Sequence, residues 1–157
     1  MYQPVAYWLR TLLAPRQGKV KVEAYVTSDV ALYRWLEQKG FSRFFPEYLA
    51  YDIRVDVTGV SSNGESAHLA FVECKVNPIS LRDISQLLGY CRVAQPKCAW
   101  ILSPAGISPH VGYLLRTYHR YDVLSYNDSS RICVATWNHD RLDIDQSSVL
   151  PPGHYVT

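Results

Sequence analysis

Asp56 and the tripeptide Glu73-Cys74-Lys75 are the residues of this chain whose types and spacing could do chemistry. Seventeen residues separate the two acids, and Asn63-Gly64, a strong β-hairpin signal, falls between them. Antiparallel pairing brings residues at the open end of a hairpin together. Glu73 and Lys75 stand two apart on a strand, so they point to one sheet face, and Cys74 points to the other. The expected result is two carboxylates and one ammonium at one spot. Two close carboxylates repel, and a divalent cation removes that cost. Oxygen ligands that leave water in the coordination shell suit Mg²⁺ or Mn²⁺. A lysine beside such a site can orient water and stabilise negative charge developing on a phosphate. The chemistry indicated is phosphodiester hydrolysis.

The elements that must position these residues can be read from periodicity and punctuation. Pro4 to Leu13 reads as a short helix, and Lys19 to Val26 alternates as a half-buried strand does. Ser28 is placed to cap a helix running to about Lys39, which Gly40 stops. Tyr51 to Val57 and His68 to Lys75 read as the two strands of the hairpin. Ser80, with Asp83 three residues on, predicts a capped helix to about Ala94. Cys98 to Leu102 is a continuous apolar run, as in a central buried strand. Ser108-Pro109 opens another helix to about Tyr118, and Tyr121–Tyr126 and Arg131–Trp137 read as two last strands. This order predicts a mixed α/β core, with a central sheet of four to five strands flanked by helices on both sides. Residues 1–137 form one domain in this reading, and 138–157 a polar arm or tail.

Four features in this order resemble the PD-(D/E)xK nuclease superfamily, the restriction-endonuclease-like fold. They are the helix from Asp29 to Gly40, the strand Arg54-Val55-Asp56-Val57, the strand Phe71-Val72-Glu73-Cys74-Lys75, and the helical stretch Gln86-Leu87-Leu88-Gly89-Tyr90. The resemblance covers about residues 28–103. It departs from the family pattern at Val55, where the proline of the motif name would stand, and at Asp29, where glutamate is usual. The resemblance implies that Asp56 and Glu73 hold Mg²⁺ or Mn²⁺ together with the Cys74 carbonyl. It further implies that Lys75 positions the attacking water and that Gln86 supports the site. Asp29 either completes the site or belongs to the helix start beside Ser28, and Asp52 competes with it as a ligand. Arg82, Arg92 and Tyr90 are candidates for contacts to nucleic acid.

Composition sets the outer bounds. The chain has 157 residues, is 48% hydrophobic and carries a formal net charge of +2. That excludes wholesale disorder and a histone-like polycation. Arg outnumbers Lys by 11 to 5, which favours planar contacts to phosphate or carboxylate. No phosphate-cradling glycine loop and no run of about 20 apolar residues occurs. The four cysteines form no CxxC pair and no signal peptide is visible, so reduced thiols and a cytoplasmic location are expected. The reading is a metal-dependent deoxyribonuclease, structure-selective and dimeric. The alternative is a catalytically silent nuclease-like module that binds nucleic acid or mediates dimerisation.

Overall fold

The structure is a computed structural model that describes residues 1–15 and 17–153. Its strands are β1 (Lys21–Val26), β2 (Val57–Ser62), β3 (Ala67–Cys74), β4 (Cys98–Ser103), β5 (Ile132–Asn138) and β6 (Asp143–Ile144). They form one six-stranded mixed sheet in sequence order, one or two strands more than expected. β1, β2 and β3 pair antiparallel, β3–β4 and β4–β5 pair parallel, and β6 returns antiparallel on β5. The helices are α1 (Tyr2–Leu13), α2 (Leu32–Lys39), α3 (Leu81–Ala94) and α4 (Pro109–Gly112), the last running on into a π-helical turn at Tyr113–Thr117. The chain is therefore α/β, as the pattern predicts. Among the described residues, no helix is long and apolar enough to cross a membrane.

Alternation along the strands builds a core on each face of the sheet. Val57, Val72, Cys74, Trp100 and Trp137 face α1, where Trp8 meets Trp100 and Trp137 edge to face at 5.4 and 6.2 Å. Val60, Leu69, Phe71, Ile101 and Val134 face the side carrying α2, α3 and α4. Gly59 lets α1 settle closely on β2, since a Cβ there would lie 2.8 Å from Leu13 Cδ1.

Four expectations are corrected. Ser28 does not cap α2, which begins at Leu32 with Ala31 as its N-cap. The amides of Leu32 and Tyr33 instead donate to the carbonyls of Ile53 and Tyr51. Those carbonyls are thereby taken from any strand partner, and residues 51–56 are not a strand. Tyr121–Leu124 is a 3-10 turn rather than a strand, anchored through Tyr126, whose hydroxyl donates to the Pro96 carbonyl at 2.8 Å. Residues 138–153 are not a loose arm. β6 pairs with Trp137 and Asn138, Val134 and Leu150 exchange both backbone hydrogen bonds, and Ile144, Val149 and Leu150 are buried. The remainder of the expected tail, residues 154–157, lies outside the described residues.

Candidate active site

The hairpin forms as its turn residues require. Gly64 adopts φ +90°, and the Asn63 side-chain oxygen accepts from the amides of Glu65 and Ser66 at 2.9 Å each. The resulting register sets Val57 opposite Val72, so Asp56 stands at the mouth of the hairpin beside Glu73. One Asp56 carboxylate oxygen accepts the Cys74 amide at 2.8 Å. Thr27 fixes the backbone behind it. Its amide donates to the Asp56 carbonyl at 2.9 Å, and its hydroxyl bonds the Val55 carbonyl at 2.6 Å and the Thr58 hydroxyl at 2.8 Å.

Glu73 is 4% exposed, and Lys75 Nζ lies 3.5 Å from one of its oxygens. Its other oxygen, Oε1, is buried with no hydrogen-bond partner. Burial, and then the charge of Asp56, push the Glu73 carboxyl up to about 7. Burial pulls the Lys75 ammonium down, but Glu73, Asp83 and Asp56 together hold it above its ordinary value. Lys75 stays charged. Its backbone amide donates to Leu102 at 2.8 Å, tying it to β4.

Asp83 was legible in the sequence only as a helix cap. Its carboxylate accepts from the Ser80 amide and hydroxyl at 2.8 Å each, while the Ser80 hydroxyl accepts from the Asp83 amide. The same side chain lies 3.6 Å from Lys75 Nζ. Burial raises its carboxyl, but the Ser80 bonds and Lys75 outweigh that and hold it below the ordinary carboxylate value. Tyr2, on α1, carries no sequence signal of a place at the site. The charge of Asp56, and then burial, raise the pKa of its hydroxyl. No sequence spacing joins Tyr2 to Asp56; only the packing of α1 on the sheet does so.

The structure thus brings Asp56, Glu73 and Lys75 together, which removes the reading in which these three residues are far apart. Cys74 points into the α1 core, and burial pushes its thiol up, so its carbonyl rather than its sulfur is the group to consider. The Gln86 amide donates to the Tyr90 hydroxyl at 3.0 Å, and both lie on the helix face that Asp83 begins. Arg82 stands in the first turn of α3 beside the site, whereas Arg92 lies about 15 Å further along the helix axis. Asp29 is exposed in the turn before α2, with Ser28 donating to it at 3.4 Å. It lines a separate cavity of about 270 Å³ with Asp52, Arg34 and Arg54.

A divalent cation fits part of this arrangement. Asp56 has one oxygen outside its bond to Cys74, and Glu73 Oε1 is an acceptor with nothing to accept. Among the described residues, no group of three or more His, Cys, Asp or Glu side chains could hold a metal, so backbone carbonyl and water would have to complete the shell. No family model, no curated protein and no solved structure matches this chain.

Proposed function

We propose that this protein is a Mg²⁺- or Mn²⁺-dependent hydrolase of DNA phosphodiester bonds, with a restriction-endonuclease-like fold and a PD-(D/E)xK type of site. The observation that carries the reading is Glu73: a buried acid, beside a second acid and a charged lysine, with one oxygen left without a partner. A core under no functional demand would fill that position with an apolar residue, since an unpartnered buried polar atom costs roughly 1–3 kcal/mol.

In this reading Asp56 and Glu73 are the side chains that hold the cation, joined by the Cys74 carbonyl. The bound cation would polarise the phosphate and lower the pKa of a coordinated water. Lys75 is restrained between Glu73 and Asp83, so its ammonium is presented with little rotamer freedom left to lose. It orients the attacking water and stabilises charge that develops on the phosphate. Asp83 acts through Lys75 and is a positioning residue. Gln86 and Tyr90 extend the polar face away from the site.

Lys75→Ala tests the mechanism. Cleavage of labelled duplex, single-strand, flap and four-way-junction DNA with Mg²⁺ is expected to fall roughly 10²–10³-fold while the fold is retained. Wild-type cleavage rates in that variant would sink the assignment. The same panel shows whether the activity selects DNA structure.

One observation favours a second reading, a catalytically silent module that binds nucleic acid. The site holds only two acids at its centre, and Lys75 already has two carboxylate partners. Calorimetric titration with Mn²⁺ separates the two: heat that vanishes in Asp56→Asn supports the hydrolase, and its absence in the wild type supports the silent module.

A further inference from the structure

At the other end of the hairpin lies a second feature that the hydrolytic site does not use. A cavity of about 460 Å³ opens between the β2–β3 turn, the end of α2 and the segment leading into β1. Lys19, Lys21, Lys39 and Arg43 line it, all four exposed, and no acid is among its described lining residues. Of the four, Lys21 has a carboxylate partner, Glu23 at 3.3 Å. Lys39 Nζ sits 4.1 Å from the centre of the Tyr25 ring, and the Arg43 guanidinium 4.5 Å from that of Phe44. These contacts aim two cations without neutralising them.

We propose that this cavity is a docking site for the phosphate backbone of double-stranded nucleic acid. The charge selects a polyanion. It also argues against a second copy of this chain, because two such patches would repel. The aromatic rings argue for a duplex over a single strand. Single-strand sites offer open ring faces for bases to stack on. Here the Tyr25 face is covered by Lys39, the Phe44 face by Arg43, and Phe41 packs against Trp35 at 6.0 Å. Among the described residues, the groove presents cations for phosphates and no open ring for a base.

The placement deepens the hydrolase reading, on which this one step rests. Ser62, Val60, Glu73 and Phe71 belong to the α2 and α3 side of the sheet by strand alternation. The cavity and the carboxylates therefore sit at opposite ends of one hairpin, on one sheet side. From Asp56 to Ser62 is about 20 Å by strand rise. That corresponds to roughly six base pairs at about 3.4 Å each. A duplex held in the groove would have its scissile phosphate that far from its anchoring phosphates.

The test measures binding without cleavage. Fluorescence anisotropy of a labelled duplex of about 20 base pairs is followed with the full chain in EDTA over a range of salt concentrations. In the double variant Lys39→Gln, Arg43→Gln, the slope of log affinity against log salt is expected to fall by about 0.9 per cation removed. At about 0.1 M salt that is roughly an eightfold loss per cation. Arg116→Gln, on the exposed π-turn outside the groove, is expected to leave slope and affinity unchanged. An unchanged slope in the double variant, an equal loss in Arg116→Gln, or tighter binding of a single strand than of the duplex would each overturn the proposal. So would loss of binding to phosphatidylserine vesicles with duplex binding retained. If the double variant behaves as expected but Lys75→Ala still cleaves, the groove stands and the hydrolytic assignment falls.

Discussion

The two ends of the β2–β3 hairpin are built to opposite rules. At the tip every conspicuous polar group serves the turn. Asn63 closes it, the Ser62 hydroxyl accepts from Gly64 at 3.1 Å, and Gly64 supplies the positive φ. Asn63 and Gly64 are exposed, Ser62 is half-buried, and cations stand around them. At the mouth, two acids are pressed together, one is buried, and one of its oxygens has no partner. The tip satisfies itself locally; the mouth is held together by Thr27, β4 and α3 from outside. Residues that oppose folding and are held in place by their surroundings are expected where function rather than stability fixed the choice.

The contrast can be broken most strongly at Glu73. Glu73→Gln removes the buried charge and leaves the shape. In metal-free buffer at about pH 8 the variant is expected to be more stable than wild type by on the order of 1–3 kcal/mol, read by urea unfolding. Equal or lower stability would mean that the carboxylate is well accommodated and the mouth is not under strain. Its heat of Mn²⁺ binding should disappear at the same time.

A pH profile sharpens the same point. The Glu73 carboxyl titrates near 7 in the fold against an ordinary 4.5. A raised acid leaves the folded state holding more protons than the unfolded chain, so its contribution is full below about 4.5 and is lost as pH rises through about 7. Thermal unfolding in EDTA should show a stability loss across that window that is missing in Glu73→Gln. Added Mg²⁺ should offset it at the alkaline end. A metal-free profile identical to that of Glu73→Gln would show that Glu73 titrates normally.

The smallest effect belongs to the tip. Gly64→Ala meets open space but must keep φ +90°, so a loss of about 1 kcal/mol is expected. Mn²⁺ affinity should not move, because the tip and the acids stand at opposite ends of β2 and β3. A variant that lost both stability and metal affinity would show that turn geometry sets the register of the mouth.

The same division explains what could be read from the sequence. Asn63-Gly64, the Ser80–Asp83 capping box and the apolar run into β4 are local signals, and each is where it was expected. The pairing of Asp56 with Glu73 followed from the hairpin. The start of α2 did not, because its free amides are met by carbonyls some twenty residues away rather than by Ser28. Asp29 lies in the turn before α2, because the helix begins three residues after it, at Leu32. The stretch after Asn138 looked polar, yet three apolar side chains, Ile144, Val149 and Leu150, are enough to fasten it to β5. Tyr2 could not have been found, since contact between the first helix and the hairpin mouth is wholly tertiary.

Asp83 carries a further implication. One carboxylate both closes the first turn of α3 and faces Lys75, so the helix start and the site share a single group. Whatever draws Lys75 away, a phosphate above all, leaves Asp83 free to bind its cap more tightly; whatever neutralises Asp83 loosens both. The amides at the start of α3 are therefore a native gauge of the site's charge. Their hydrogen-exchange rates would record occupancy of the site without a label, a substrate or a turnover.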